Sequence, residues 1–322
     1  MKKIRWSYPL FRIFGIRVDL HITFLLLLGL FCWEGHQAHQ WAGALAAFIG
    51  IILAFTSVLL HELGHCLTAA TYGIKTPRIL LMPIGGMAQM THIPRDPNAE
   101  LKITLAGPLV NFVIAGLLFL IVGAPDMRFW YIELFSLNAM NLARLTIVWN
   151  LTMGLFNLLP VFPMDGGRIL RALLAKRFDY LDATRIATYT AKVFIVIGVS
   201  LALMWGENYL MIALFAFIWI GGEAEYQQVR FLENYAGLTI GDVVTPWAGG
   251  PNDPALKNWP SLSATWPLEV YARHFETKPE AFYPVYHDGK FIGVVDTARL
   301  KSALHVAKQH RNEAIRQDKG NA

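Results

Sequence analysis

Leu59-Leu60-His61-Glu62-Leu63-Gly64-His65 is the stretch on which the reading of this chain turns. The pattern H-E-x-x-H on a helix sets two imidazoles one turn apart, about 40° around the axis, so both rings reach one ion, most often Zn2+. Glu62 lies on a neighbouring part of the same face, placed to take a proton from water rather than to bind metal. Three fixed positions in five also arise by chance, and the surroundings separate the two readings. From Trp41 to Leu60 the chain is almost wholly apolar, and the motif follows without a break. A soluble metalloprotease helix would be amphipathic. Two histidines and a glutamate are costly in a bilayer unless they have a task, so the stretch reads as a zinc site inside a membrane helix.

Composition agrees. Hydrophobic residues are 55% and charged residues 16% of the 322, against about 25% charged in ordinary soluble domains. Length suggests about two domains. The net charge of +5 comes from Lys and Arg lying between apolar runs, where they orient membrane spans, so no nucleic-acid partner is expected. No internal repeat or low-complexity tract is visible. Cys32 and Cys66 fall near opposite membrane faces if both their spans cross, too far apart for a disulfide. Cys66 also points about 100° away from His65 and reads as an ordinary apolar cysteine.

Met1 to Asp19 is basic, with Lys2, Lys3, Arg5, Arg12 and Arg17. Ile22 to Trp33 reads as a first span, led in by Val18 to His21 and short of the usual ~20 residues; a signal peptide is the rival reading. Glu34 to Gln40 is a polar loop, and the second span runs from Trp41 toward Tyr72, with Gly73 as its stop. Ile79 to Met90 is apolar but interrupted by Pro83, Gly85 and Gly86, which suggests a re-entrant loop or β-hairpin, with a simple interfacial loop as the alternative. Ile103 to Val122 is a third span, whose Gly107-Pro108 and Asn111 indicate a bend beside a polar cavity. Asp126 to Leu142 is aromatic-rich and interfacial in character. Ile147 to Val161 is a fourth span carrying Asn150 and Asn157, broken by Pro160 and Pro163 before Asp165. A basic stretch, Arg168 to Lys192, overlaps the beginning of a fifth span that starts near Ile186 and continues from Val193 to Trp205, and Tyr209 to Gly222 is a sixth.

Lys and Arg are dense before span one, between spans two and three, and between spans four and five, which puts both termini in the cytoplasm. The zinc motif and Asp165 then lie at the inner ends of spans two and four, at one depth. The expected fold is an α-helical multi-span membrane protein of about six transmembrane helices, with a re-entrant or β-hairpin segment between helices two and three. Residues 1–230 form the membrane domain. From Leu238 the composition is that of a soluble domain, so residues 231–322 read as a small α/β cytoplasmic domain in which Asp288-Gly289 marks a hairpin. Residues 303–322 read as a basic, frayed tail.

Several of these residues also stand in a known order. H-E-x-x-H in a span, then Pro83-Ile84-Gly85-Gly86, Ala106-Gly107-Pro108-Leu109-Val110-Asn111, and Asn157-Leu158-Leu159-Pro160-Val161-Phe162-Pro163-Met164-Asp165-Gly166 resemble the site-2 protease family of intramembrane zinc proteases. The resemblance runs from about Val18 to Arg230. It implies one catalytic Zn2+ held by His61, His65 and Asp165, with Glu62 as the catalytic base. It also implies that Asn157 and Asn111 hold the substrate or the developing oxyanion, and that the segment with Pro83, Gly85 and Gly86 offers an edge strand to the substrate. Asp165 has a rival role as N-cap of the helix that follows it.

The implied reaction is hydrolysis of a peptide bond within or near a transmembrane segment of a membrane-protein substrate, in the lipid bilayer of the cell membrane. Gly241-Asp242-Val243-Val244-Thr245-Pro246 and Tyr283 to Val295 resemble one CBS repeat. Because CBS repeats bind nucleotides in pairs, a homodimer would be needed to complete an adenine-nucleotide site; a domain that only packs or dimerises is the alternative. The competing functions are an inactive zinc-binding relative that senses nucleotides, and a metal transporter. A transporter places polar ligands along a path across the bilayer, whereas here they gather at one depth.

Overall fold

The helix that carries the zinc motif sets the frame. In this computed structural model α1 (Ile22–Thr71) is hydrogen-bonded as one helix, but His39 (φ −138°, ψ 29°) and Gln40 (φ 53°, ψ −139°) divide it into arms 22–38 and 41–71. The arms fold back on each other. Phe24 meets Phe55 edge-on with centroids 4.4 Å apart, and Gly35 and Gly43 approach so closely that a Cβ on either would collide with the other's carbonyl. The reversal takes two residues where a polar loop over Glu34–Gln40 was expected, because the paired glycines let helix persist almost to the turn. The first arm, about 25 Å of helix, is correspondingly longer than the run Ile22–Trp33. The structure describes residues 6–91, 94–123, 135–204, 209–276, 281–307 and 309, which divide into two units, Met1–Tyr226 and Gln227–Ala322.

The N-terminal residues form strands rather than only a basic lead-in. β1 (Ser7–Ile13) and β2 (Ile16–His21) make a hairpin across Phe14 (φ 50°) and Gly15 (φ 79°), both left-handed, as a two-residue type I′ turn requires. β2 runs parallel to β3 (Arg78–Met82), which pairs antiparallel with β4 (Gly85–Gln89), so the sheet order is β1-β2-β3-β4. A hairpin therefore occupies the interrupted stretch Ile79–Met90, and β4 is an edge. Ile16, Val18, Ile79 and Leu81 pack on Val58, Leu63 and Cys66, which fixes the sheet to the motif-bearing part of α1. Buried Asp19 pairs with Arg78 at 2.7 Å and Arg17 at 3.0 Å, tying β2 to β3.

α2 (Pro97–Val122) begins at Asp96, whose carboxylate accepts from the amides of Asn98 (3.2 Å) and Ala99 (3.1 Å), with Pro97 at the first helical position. Asn138 caps α3 (Ala139–Asn157) by accepting from the Met140 amide at 2.9 Å. The expected interfacial segment Asp126–Leu142 lies largely outside the described residues. α4 (Asp165–Leu174), α5 (Tyr180–Met204) and α6 (Tyr209–Glu233) follow. Among the described residues three helices, α1, α2 and α5, are long and apolar enough to cross a membrane. Their exposed side chains include Leu117, Leu120, Ile121, Val193 and Val196, an outward apolar face suited to lipid.

The second unit is a small α/β body. β5 (Leu262–Ser263) pairs parallel with β6 (Phe282–His287), and β6 antiparallel with β7 (Lys290–Asp296). Asp288 (φ 47°) and Gly289 (φ 75°) form the turn that their sequence predicts. α7 (Leu268–Glu276) lays Leu268, Ala272 and Phe275 on a core with Ile240, Val243, Tyr283 and Val285. Most of the basic tail lies outside the described residues.

Candidate metal and catalytic centre

His61 and His65 face the same way from the second arm of α1, with their Nε2 atoms 3.1 Å apart. Asp165 comes from the start of α4 and brings Oδ2 to 3.2 Å from each Nε2. All three ligand atoms lie within 4.8 Å of one another. Ligands at 2.0–2.1 Å from a tetrahedral zinc are separated by about 3.3 Å, so the triangle has the size that a zinc ion needs. The Asp165 Oδ2 atom is buried and has no hydrogen-bond donor. A buried carboxylate oxygen facing two imidazole nitrogens without a donor fits a cation in the gap.

The far side of each ring fixes its tautomer. His61 Nδ1 lies 2.5 Å from Asn111 Oδ1, and His65 Nδ1 lies 2.8 Å from the Ile103 carbonyl. Both partners only accept, so each Nδ1 carries the proton and each Nε2 presents its lone pair inward. The Asn111 amide is oriented in turn: Nδ2 donates to Asn150 Oδ1 at 2.8 Å, and Asn150 Nδ2 donates to Ser57 Oγ at 2.9 Å. Asn111, expected to contact substrate or oxyanion, is fully buried and is engaged by His61 and Asn150 instead. Asn157 does line the catalytic cavity, with its Nδ2 donating to its own helix at Met153 O, 3.0 Å away.

Asp165 is not a cap. It is the first residue of α4, whose N-cap is Met164 with no side-chain hydrogen bond. Cβ atoms on Gly166 and Gly167 would collide with the backbone of Leu159 and Phe162, so the glycines let the chain fold tightly behind the carboxylate. Glu62 is half-buried, and its Oε2 accepts from the Ala88 amide of β4 at 3.2 Å. A cavity of about 960 Å³ contains His61, Glu62, His65 and Asp165 and reaches Pro83, Gly85 and Gly86.

Sequence reasoning missed two features. A Cβ on Gly107 would run into His65 Nε2 and stand 2.8 Å from His61 Nε2, so α2 reaches the imidazoles only because this residue has no side chain. Gly64 likewise lets α1 and α2 touch, since a Cβ there would lie 2.8 Å from Ala106 O. The second feature is an ion cluster. Arg171, among the largest fully buried side chains of the described residues, donates from Nε to Glu100 of α2 at 2.9 Å and from Nη1 to Glu225 of α6 at 2.9 Å. Burial would lower its pKa, but Glu100, Tyr180 and Glu225 reverse this and hold it above the ordinary arginine range. It links the helix bearing Asp165 to the helix that orients both histidines. In the sequence it reads only as one more basic residue, although its place as the one charge in the apolar run Ile169–Leu174 hints at a buried face.

Comparison with known proteins agrees with this centre. The sequence model of peptidase family M50 matches residues 48–131 and 127–201. A zinc metalloprotease of Methanocaldococcus jannaschii is 37% identical over 315 residues, covering 97% of this chain and 84% of that protein. Stage IV sporulation protein FB of Bacillus subtilis is 29% identical over 188 residues, covering 56% of this chain and 62% of that protein. The solved structure of the site-2 protease from Methanocaldococcus jannaschii matches with a TM-score of 0.50 and 39% identity, over 69% of this chain and 95% of that one. A membrane-type scaffold, a zinc-sized triad and relatives along nearly the whole length lead to one conclusion: this chain belongs to the site-2 protease family, peptidase family M50, and is a zinc metalloprotease.

Proposed function

We propose that the protein cleaves a peptide bond within or near a transmembrane segment of a membrane-protein substrate. His61, His65 and Asp165 hold the ion, and Glu62 is the base. Zinc bound there supplies Lewis acidity, bringing the pKa of water to about 7 and polarising a carbonyl. Glu62 takes the proton of the attacking water and later gives it to the leaving amine. Asn111 and Ile103 keep both imidazoles in the tautomer that presents Nε2. Asn157 is placed to hold the substrate backbone.

The observation that carries this reading is the position of β4. It is an edge strand beside Glu62, and Gly86 packs against that carboxylate. An unwound substrate segment adding to this edge would run past Glu62 with its backbone exposed. Six crossings, namely the two arms of α1 with α2, α3, α5 and α6, would place both termini in the cytoplasm and the centre near the inner face. Residues 231–322 then form a cytoplasmic CBS-like domain for regulation or dimerisation, whose adenine-nucleotide site would need a second copy.

The test is to incubate the purified full chain with a single-span substrate in liposomes and to map the products by mass spectrometry. Cuts inside or within a few residues of the span are expected. Cuts confined to a distant soluble flank would refute the intramembrane reading.

A further inference from the structure

A second cavity, about 130 Å³, shares no lining residue with the catalytic one. Arg185, Thr188, Tyr189 and Lys192 of α5 and Glu223 and Tyr226 of α6 line it. Arg185, Tyr189 and Lys192 stand at i, i+4 and i+7, and Trp219, Glu223 and Tyr226 have the same spacing on α6, so each helix contributes one stripe. Both cations converge on one ring: Arg185 Cζ is 5.8 Å and Lys192 Nζ 5.4 Å from the Tyr189 centroid. Lys192 Nζ also lies 4.9 Å from the Trp219 ring and pairs with Glu223 at 3.0 Å. Among the described residues Arg185 has no carboxylate partner. Two cations and one carboxylate leave the cavity with a surplus of positive charge, which calls for an anion.

The surroundings say which anion. Ile186, Val193, Val196 and Ile197 of α5 and Ile220 of α6, each within five residues of a lining residue on the same two helices, are exposed apolar side chains, so the surface beside the cavity is suited to lipid. Tyr and Trp gather at the headgroup level of a membrane, and Tyr189, Trp219 and Tyr226 surround this cluster. Basic pockets between spans recognise anionic headgroups, and the planar guanidinium of Arg185 matches a phosphate. We propose that this cavity binds the phosphate of an anionic phospholipid, with Arg185 and Lys192 as donors and the apolar surface beside it against the acyl chains. A free phosphate offers the same oxygens but has nothing to place on that surface.

Native mass spectrometry of the full-length protein in neutral detergent tests this, with phosphatidylglycerol, phosphatidylcholine and inorganic phosphate as separate titrants. Phosphatidylglycerol should be retained at one molecule per protein and phosphatidylcholine bound more weakly. Arg185→Gln keeps the Lys192–Glu223 pair and should weaken phosphatidylglycerol about fivefold, and Arg185→Gln with Lys192→Gln about thirtyfold, with zinc content unchanged. The single variant decides the matter if the double variant does not fold. Equal binding of the two lipids, no change in Arg185→Gln, or displacement of the lipid by excess inorganic phosphate would overturn the proposal.

Discussion

Gly107→Ala separates helix stability from zinc binding. An Ala in place of Gly inside a helix ordinarily stabilises it by about 1 kcal/mol, so a purely helical view predicts a sturdier protein. The contacts predict otherwise. The new methyl would run into His65 Nε2 and lie 2.8 Å from His61 Nε2. Neither ring can turn away freely, because Nδ1 of His65 is tied to Ile103 O and that of His61 to Asn111. Nor can α2 withdraw freely, since it packs against Gly64 through Ala106. At least one imidazole must leave the ion. Disturbing an outer partner of a metal ligand costs 10–100-fold in affinity, and displacing the ligand itself should cost at least about 100-fold. Zinc content after purification, and affinity by competition with a chelator, read this directly. Gly116→Ala on the same helix is the control: nothing lies within 4 Å of its Cβ position, so it should gain stability and keep its zinc. Full zinc content in Gly107→Ala would refute the close approach on which the centre is built.

Three further outcomes follow from the same geometry. Asp165→Ser should lose zinc with little change in thermal stability of the metal-free protein, because Met164 rather than Asp165 occupies the N-cap of α4; retained zinc would show that the carboxylate is not a ligand. Asn111→Ala should weaken zinc by about 10–100-fold, as judged by chelator competition, while leaving the site able to saturate at high zinc. Arg171→Met leaves buried Glu100 without its guanidinium and Glu225 with Arg168 alone at 3.6 Å, and should destabilise the fold by about 3–5 kcal/mol, recovered in part when Glu100→Gln is added; denaturant unfolding of the metal-free protein measures both.

The chemistry was legible in the sequence wherever a residue type has few other uses at its position. Two histidines and a glutamate after an apolar run pointed to a metal site because such groups are costly in a bilayer, while the aspartate after a proline-broken span read as either a ligand or a helix cap. Asp288-Gly289 was legible because that pair favours the positive φ values it adopts. What stayed hidden depends on contacts between distant segments. Gly107 looks like any helix glycine until His65 is placed against it. Asn111 is polar in a span, which signals a cavity, but whether it faces substrate or a ring nitrogen depends on α1. Arg171 counted as one more basic residue although Glu100, seventy-one positions earlier, buries it. The N-terminal hairpin escaped notice because Tyr8, Leu10 and Phe11 of β1 are all exposed, so the strand has no alternating pattern to read.

The central claim is that Glu62 works as a base beside an ion held by His61, His65 and Asp165. Glu62→Gln keeps the shape of the side chain and all three ligands while removing the basic carboxylate. The decisive measurement is zinc content and cleavage rate on the same purified preparation, with a membrane-span substrate in liposomes. The predicted result is one zinc per chain with cleavage slowed by at least about 100-fold. Near-normal cleavage by the zinc-loaded variant would contradict the account.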